Sequence, residues 1–297
     1  MKNTNRFGTI LSLQQHHIMT IDYLYHLGLD STQDLHGMFG DIRLVIMGGS
    51  KERALMIAKK LAADVGNTNT NTTTFLPSPK PIGRTDRYVI YKVGRCLSVS
   101  HGMGAPSISI LLHELYKLLF VHAKAKEVEF VRIGTSGGIG VEPGTVVITT
   151  ESVDERNEAK QELCILGKVV SRPTYLSPEL IDRLYGISQS LDIPCRKGKT
   201  MSCNDFYESQ ARMDGAICSY TKEERESYLN RLVGYGVLNI EMEGVALTAF
   251  CCEKKIKCCM ITTVLLNRLK GDQVTTELSM MGALQVLLRY VEEQEWI

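Results

Sequence analysis

Arg132 stands directly before a glycine-rich segment, RIGTSGGIG, that leads through Pro143 into a β-branched run, TVVITT. A dinucleotide-binding turn needs G-x-G-x-x-G opening a helix, and Gly134, Gly137, Gly138 and Gly140 do not have that spacing. A phosphate loop of the Walker type needs Gly-Lys-Ser/Thr, which is missing both here and after Gly48-Gly49. What the segment offers is a turn with free backbone N–H groups, hydroxyls at Thr135 and Ser136, and a cation at Arg132. That set suits a small tetrahedral anion. A second glycine turn, GGSKER, puts Arg53 one helical turn after Gly49, where the amides of a helix start also favour anions. Taken singly, each is better read as an ordinary turn beside a solvated arginine. On neighbouring strands the two would converge on phosphate.

Two more segments carry polar groups at suggestive spacing. In TMSCNDFYESQARMDGA, Gln210 and Arg212 lie two apart behind Phe206, and in NIEMEG the carboxylates of Glu241 and Glu243 flank Met242 at the end of a short apolar run. Without further context the first is a polar helix start and the second a charged turn.

The elements that must position these groups alternate along the whole chain. IRLVIMGGS reads as a buried strand ending in glycines, and KERALMIAKKLAADVG as a helix with a glycine stop. RYVIYKVGRCLSVSHG gives two strands around Gly94, and APSISILLHELYKLLFVHAKA a helix opened by Pro106. Further strands are expected in EVEFVRIGTSGGIG, TVVITT, VLNIEME and CCMITTVLL, and further helices in SPELIDRLYGISQSLDI, KEERESYLNRLVGYG and TELSMMGALQVLLRYVEEQ. The expectation is a single-domain, three-layer α/β fold over residues 1–297, with a mixed twisted central sheet and helices on both faces. Ligands in such folds sit at the carboxyl ends of strands, which directs attention to the loops at Gly48, His101, Ile133, Asn204, Glu241 and Asn267. Residues 67–80, rich in Asn and Thr, read as a surface loop insertion, and residues 1–38 as an N-terminal arm and helix.

With 297 residues and 44% hydrophobic content the chain can bury a sizeable core. Lys and Arg number 34 against 33 Asp and Glu, so no basic stripe exists to follow nucleic acid. No apolar run reaches the ~20 residues that span a bilayer, and the expectation is a soluble, cytoplasmic protein with no membrane partner. The nine cysteines include the vicinal pairs Cys251-Cys252 and Cys258-Cys259, with no histidine at zinc-finger spacing. Small buried thiols explain them better than a disulfide framework, a redox site or a metal site.

From about Phe39 to Gln273 the sequence resembles the uridine phosphorylases of the nucleoside phosphorylase-I family, through RIGTSGGIGVEPGTVVIT, TMSCNDFYESQARMDGA, NIEMEG and TVLLNRLKGDQ. FYESQAR is the most specific part, since it looks like the F-Y-x-x-Q-x-R signature of the pyrimidine-specific members. The resemblance implies reversible phosphorolysis of uridine to uracil and ribose 1-phosphate, with phosphate attacking C1′ while uracil departs. It implies no metal and no cofactor, inorganic phosphate being a substrate.

The resemblance also implies roles. Phosphate would be held by Gly49, Arg53, Arg132 and Thr135, joined by Arg87 of a neighbouring subunit. The ribose would meet Glu243 at its 2′ and 3′ hydroxyls, Met242 beneath the sugar, and His26 donated across a homodimer interface to the 5′-hydroxyl, with Glu241 in support. Uracil would lie against Phe206 and be read by Gln210 and Arg212, with Arg268 toward O4 and Leu265, Leu266 and Val274 as the apolar wall near C5. Arg132, Thr135, Gln210 and Arg212 would be the catalytic set, acting by charge stabilisation and positioning. On the residues alone, Arg87 is also a charge beside Asp86 in a surface turn, and His26 a surface histidine. The rivals are a purine phosphorylase or a nucleosidase on the same fold, a silent nucleoside-binding protein, and a thiol-rich scaffold. The missing aspartate in LLNRL, where purine enzymes of the family carry their acid, favours pyrimidines.

Overall fold

A computed structural model describes residues 20–68, 78–83, 85–274 and 280–297. The chain opens on a small hairpin, β1 (Tyr23–Leu24) and β2 (Leu29–Asp30), and a five-residue helix α1 (Leu35–Phe39). There follow β3 (Leu44–Gly48), α2 (Lys51–Thr68), β4 (Ile90–Val93), β5 (Cys96–Ser100) and α3 (Ala105–Tyr116), the last continued by a π-helical segment, Lys117–His122. Next come β6 (Glu129–Gly138), β7 (Val146–Val153), the hairpin β8 (Lys160–Ile165) and β9 (Lys168–Pro173), and α4 (Pro178–Ser190). The chain closes through β10 (Cys195–Ser202), α5 (Lys222–Gly234), β11 (Val237–Glu241), α6 (Gly244–Lys254), β12 (Cys258–Asn267) and α7 (Met281–Glu293).

Eight strands form one mixed sheet in the order β11-β10-β7-β12-β6-β3-β5-β4. Helices α2, α4 and α7 pack as one group, and α3 and α6 as another, which gives the three layers of an α/β fold. The strands read as near-continuous apolar runs because both faces are covered: all five residues of β3 are buried, as are all five of β5. Among the described residues no helix is long and apolar enough to cross a membrane.

The sheet does not stay open. β11 also pairs antiparallel with β6 at Asn239↔Gly138 and Ile240↔Gly137, so β6, β12, β7, β10 and β11 close a five-stranded ring. Buried polar side chains tie the ring together. Asn239 Nδ2 donates to Ser136 Oγ and Thr262 Oγ1, both at 2.8 Å, Thr200 Oγ1 donates to Asn239 Oδ1 at 2.7 Å, and Thr149 meets Thr200 at 2.7 Å. Each member thereby satisfies a polar group that burial would otherwise leave unpaired.

Three sequence expectations need correcting. The stretch Ile133–Gly138 is strand, not turn: it pairs with β12 throughout, and its glycines serve close packing instead of tight turning. His26 lies in the turn between β1 and β2, not on a helix. The β8–β9 hairpin faces solvent, and β10 carries Arg196, Lys197 and Lys199 before its buried end Thr200–Ser202, so neither has the apolar pattern that marks a strand in the sequence. The expected N-terminal arm is described only from residue 20, and residues 69–77 of the expected 67–80 loop and 275–279 of the last expected helix lie outside the described residues. Cys251, Cys258 and Cys259 are buried at the end of α6 and the start of β12, as small thiols, whereas Cys252 is only partly buried, contrary to the expectation for both pairs.

Candidate active site

One cavity of ≈ 330 Å³ gathers segments that are far apart in sequence. Its wall takes Gly49 and Arg53 from the β3–α2 junction, His101 from the end of β5, Arg132 and Thr135 from β6, Phe206, Gln210 and Arg212 from the loop after β10, Glu241 to Glu243 from the end of β11, and Leu265, Leu266, Arg268 and Val274 from β12 and beyond. Such clefts at strand ends, apolar with a few convergent polar groups, are the usual place for small ligands. The ring closure explains the convergence. β6 and β11 run antiparallel and meet near their carboxyl ends, so the chain leaving Ile240 turns back along β6 toward Arg132.

Arg132 is fully buried between two carboxylates. Its Nη1 stands 3.1 Å from Glu241 Oε2 and its Nη2 is paired with Glu243 Oε2. Burial alone would lower its pKa, but Glu241 and then Glu243 outweigh that and hold the guanidinium more firmly protonated than usual. Glu241 accepts from Ser202 Oγ at 2.5 Å and from the backbone N–H groups of Glu243 and Gly244 at 2.9 Å. Burial nevertheless raises its pKa, against the pull of Arg132. Glu243 accepts from the Gly104 N–H at 2.5 Å through its other oxygen.

Arg53 is the contrasting cation. It makes no ion pair with a carboxylate among the described residues. Its Nη2 reaches Thr135 Oγ1 at 3.4 Å, and its pKa is lowered, first by burial and then by the charge of Arg132. Two guanidiniums on one wall, with only one of them neutralised, leave a positive field that an anion would relieve.

The opposite wall is organised around Gln210, which is buried at the end of a short 3-10 turn, Glu208–Gln210. Arg268 Nη2 donates to Gln210 Oε1 at 2.5 Å and Arg268 Nη1 to the Gln210 carbonyl at 3.2 Å, which fixes the amide with its nitrogen free for another partner. Arg268 commits its remaining Nη1 contact to Asp272, which Arg225 shares at 2.9 Å. Arg268 thus stands behind Gln210 instead of presenting a free fork. Arg212 lies 4.6 Å over the Phe206 ring and is paired with Asp214, which raises its pKa. Phe206 and Val274 are half-exposed at the cavity mouth.

The glycines of β6 now have a reason. A Cβ at Gly137 would come within 2.7 Å of Arg268 Nε, and one at Gly134 within 3.0 Å of Arg132 Nη1, so both arginines lie directly on backbone.

Fourteen of the sixteen expected site residues line this cavity; Arg87 and His26 do not. Arg87 Nη2 donates to Ser107 Oγ at 3.0 Å and its guanidinium lies 5.4 Å from the Tyr88 ring, which in turn is 6.3 Å from the His26 ring. His26 is held by Glu114 at 2.6 Å. The two therefore share a separate outer patch. The sequence marks the loop at His101 but gives that residue no role, and it gives none to Ile240 and Met103, which also line the wall with the expected hydroxyl of Ser136.

The sequence pattern of the phosphorylase superfamily matches residues 43–287. Over 260 residues the chain is 45% identical to uridine phosphorylase 1 of Mus musculus, covering 87% of this chain and 82% of the relative. A uridine phosphorylase from Schistosoma mansoni, solved in complex with thymidine, superposes with a TM-score of 0.86 at 34% identity, covering 94% of this chain and 96% of that one. A second Schistosoma mansoni protein, inactive uridine phosphorylase B, is 36% identical over 91% of this chain and 90% of its own.

Proposed function

This chain belongs to the phosphorylase superfamily and is a uridine phosphorylase, and from that premise we propose how its cavity carries out the reversible phosphorolysis of uridine to uracil and ribose 1-phosphate. The observation that carries the reading is the opposition of two walls: Arg53 with no carboxylate of its own among the described residues beside Arg132, and Gln210 held by Arg268.

Phosphate binds against Arg53, Arg132, Thr135 and the Gly49 backbone. Glu243 accepts from the ribose 2′ and 3′ hydroxyls, its carboxylate still having free lone pairs beyond those used by Gly104 and Arg132. Met242 packs under the sugar. Uracil lies on Phe206 between Leu265, Leu266 and Val274, with the Gln210 amide spanning N3–H and an adjacent carbonyl. A phosphate oxygen forms its bond to C1′ as the C1′–N1 bond breaks, and the electron pair passes into the uracil ring. Donors from Gln210 and Arg212 meet that growing charge, so they act more strongly on the transition state than on bound uridine. The reading needs no metal or cofactor. The pyrimidine ligands named for the solved relatives, thymidine among them, extend it to related bases.

The pairing of Arg132 with both carboxylates and the intact Gln210–Arg268 unit support an active enzyme over the silent alternative that the inactive relative exemplifies. Uracil should be released from uridine only when phosphate is supplied, and inosine should give no product under either condition. Release without phosphate would mean a nucleosidase, and no release at all a silent binder.

We further place Arg87 and His26 in the site of a second copy, as a homodimer with shared sites. Exposed apolar side chains on the β8–β9 hairpin, Leu166 at 97% and Val169 at 72%, and Tyr25 beside His26 at 75%, support an interface there. If sites are shared, Arg87→Ala and Gln210→Ala should each be nearly inactive, yet mixing them should restore about a quarter of the sites by subunit exchange. Additive, unrecovered activity in the mixture would place Arg87 outside the partner's site. Unpaired thiols fit a reducing compartment, and we assign the enzyme to the cytoplasm.

A further inference from the structure

His101 is 1% exposed and lines the cavity, and among the described residues neither of its ring nitrogens makes a well-formed hydrogen bond, although the Gly102 backbone lies close by. A buried imidazole in that condition is unusual, because lost hydration is normally repaid by a partner. Its backbone is fixed: the His101 N–H donates to the Gly48 carbonyl at 2.8 Å, and its carbonyl accepts from Ser107 Oγ at 2.6 Å. The ring approaches Gly49 closely, with Cε1 3.9 Å from where a side chain there would begin. Burial pushes the imidazole well below its ordinary pKa, the charges of Arg132 and Arg53 push it further, and the Gly102 backbone opposes them only in part. The ring is neutral, with one N–H and one lone pair.

Around the anion position every other group supplies a donor: the guanidiniums of Arg53 and Arg132, the Thr135 hydroxyl, which already accepts from Arg53, and the Gly49 backbone. The carboxylates of Glu241 and Glu243 are engaged by Arg132 and by backbone N–H groups. A lone pair in such a wall repels a bare anion oxygen and welcomes one that still carries a proton.

We propose that His101 is a specificity-determining residue of the phosphate site, its unprotonated ring nitrogen accepting a hydrogen bond from the P–OH of hydrogen phosphate. Hydrogen phosphate and sulfate have the same charge and shape above the second ionisation of phosphate, and they differ in that proton alone. The site therefore favours phosphate over sulfate, and arsenate, which keeps its proton, behaves as phosphate does. This rests on the cavity being the phosphate site of a phosphorylase.

The test is calorimetric titration of the protein with phosphate, arsenate and sulfate at pH 8, alongside uracil release from uridine with sulfate as competitor. The wild-type protein should bind phosphate and arsenate at least about 10-fold tighter than sulfate, a difference of about 1.4 kcal/mol. His101→Phe should weaken phosphate about 10-fold, leave sulfate and the KM for uridine at saturating phosphate unchanged, and bring the ratio toward one. His101→Asn, whose amide oxygen restores an acceptor, should recover part of the preference. Equal wild-type affinity for sulfate and phosphate overturns the proposal whether or not the variants fold, and so does a His101→Phe protein that loses both anions alike. A wild-type protein that prefers phosphate yet releases no uracil would instead remove the catalytic reading and leave the anion site standing.

Discussion

Arg132→Met should destabilise the fold by about 3–5 kcal/mol and lower uridine phosphorolysis at least about 10³-fold. The stability loss follows from what the guanidinium neutralises. Glu241 and Glu243 are both buried, and their shared cation would be gone while their charges remained. Methionine fills much of the volume, so cavity formation contributes little. The two effects are separable in a second variant. Arg132→Met with Glu243→Gln removes one of the stranded charges and should recover a large part of the folding free energy, measured by urea denaturation, while activity stays absent. Glu241 keeps Ser202 and two backbone N–H groups in that variant and tolerates the loss better. A single variant as stable as the wild type would mean that the carboxylates take up protons at little cost, and the ion triad would lose its structural importance.

Arg268→Leu should act in the opposite proportion, cutting kcat/KM for uridine about 100-fold with a stability cost near 1 kcal/mol. Arg268 holds both oxygens of Gln210 that matter, the side-chain amide and the backbone carbonyl, so without it the amide is free to turn over and present nitrogen where oxygen is needed. Asp272, its other partner, keeps Arg225 and is not stranded. The expected signature is a fall in kcat that exceeds the rise in KM, because the charge on departing uracil is met by donors the amide no longer aims. An unchanged kcat/KM would show that Gln210 is oriented by its own turn and owes nothing to the arginine. Gly137→Ala would then also be harmless, although its Cβ would meet Arg268 Nε at 2.7 Å.

Much of this arrangement was legible before any coordinates. Strand and helix periodicities located β3, α2, α3, β6, β11 and β12, because buried apolar runs are the strongest signal a sequence gives. FYESQAR and NIEMEG supplied Phe206, Gln210, Arg212, Met242 and Glu243 through family resemblance, and all five line the cavity. The glycines of β6 misled. Read as a loop that offers free amides, they are strand residues whose missing side chains make room for Arg132 and Arg268, a reason that exists only once the arginines are placed. The β8–β9 hairpin escaped because solvated strands lack an apolar pattern, and β10 because its first part carries Arg196, Lys197 and Lys199 and its buried end is the short, mostly polar Thr200–Ser202. His101 was passed over for a different cause: one histidine after a strand carries no meaning until its burial and its unmatched nitrogens are known.

The double pairing of Arg132 carries one more implication, for how the two substrates come to occupy the protein. In the proposed binding mode the guanidinium that faces the anion also occupies an oxygen of the carboxylate assigned to the sugar. An anion bound in that mode would draw on the positive charge, loosen its hold on Glu243, and leave the carboxylate a stronger acceptor for ribose hydroxyls. Thermodynamic reciprocity then requires the nucleoside to tighten the anion by the same factor. Synergy between the co-substrates would then need only this one shared side chain to transmit it, without a hinge or rigid-body motion.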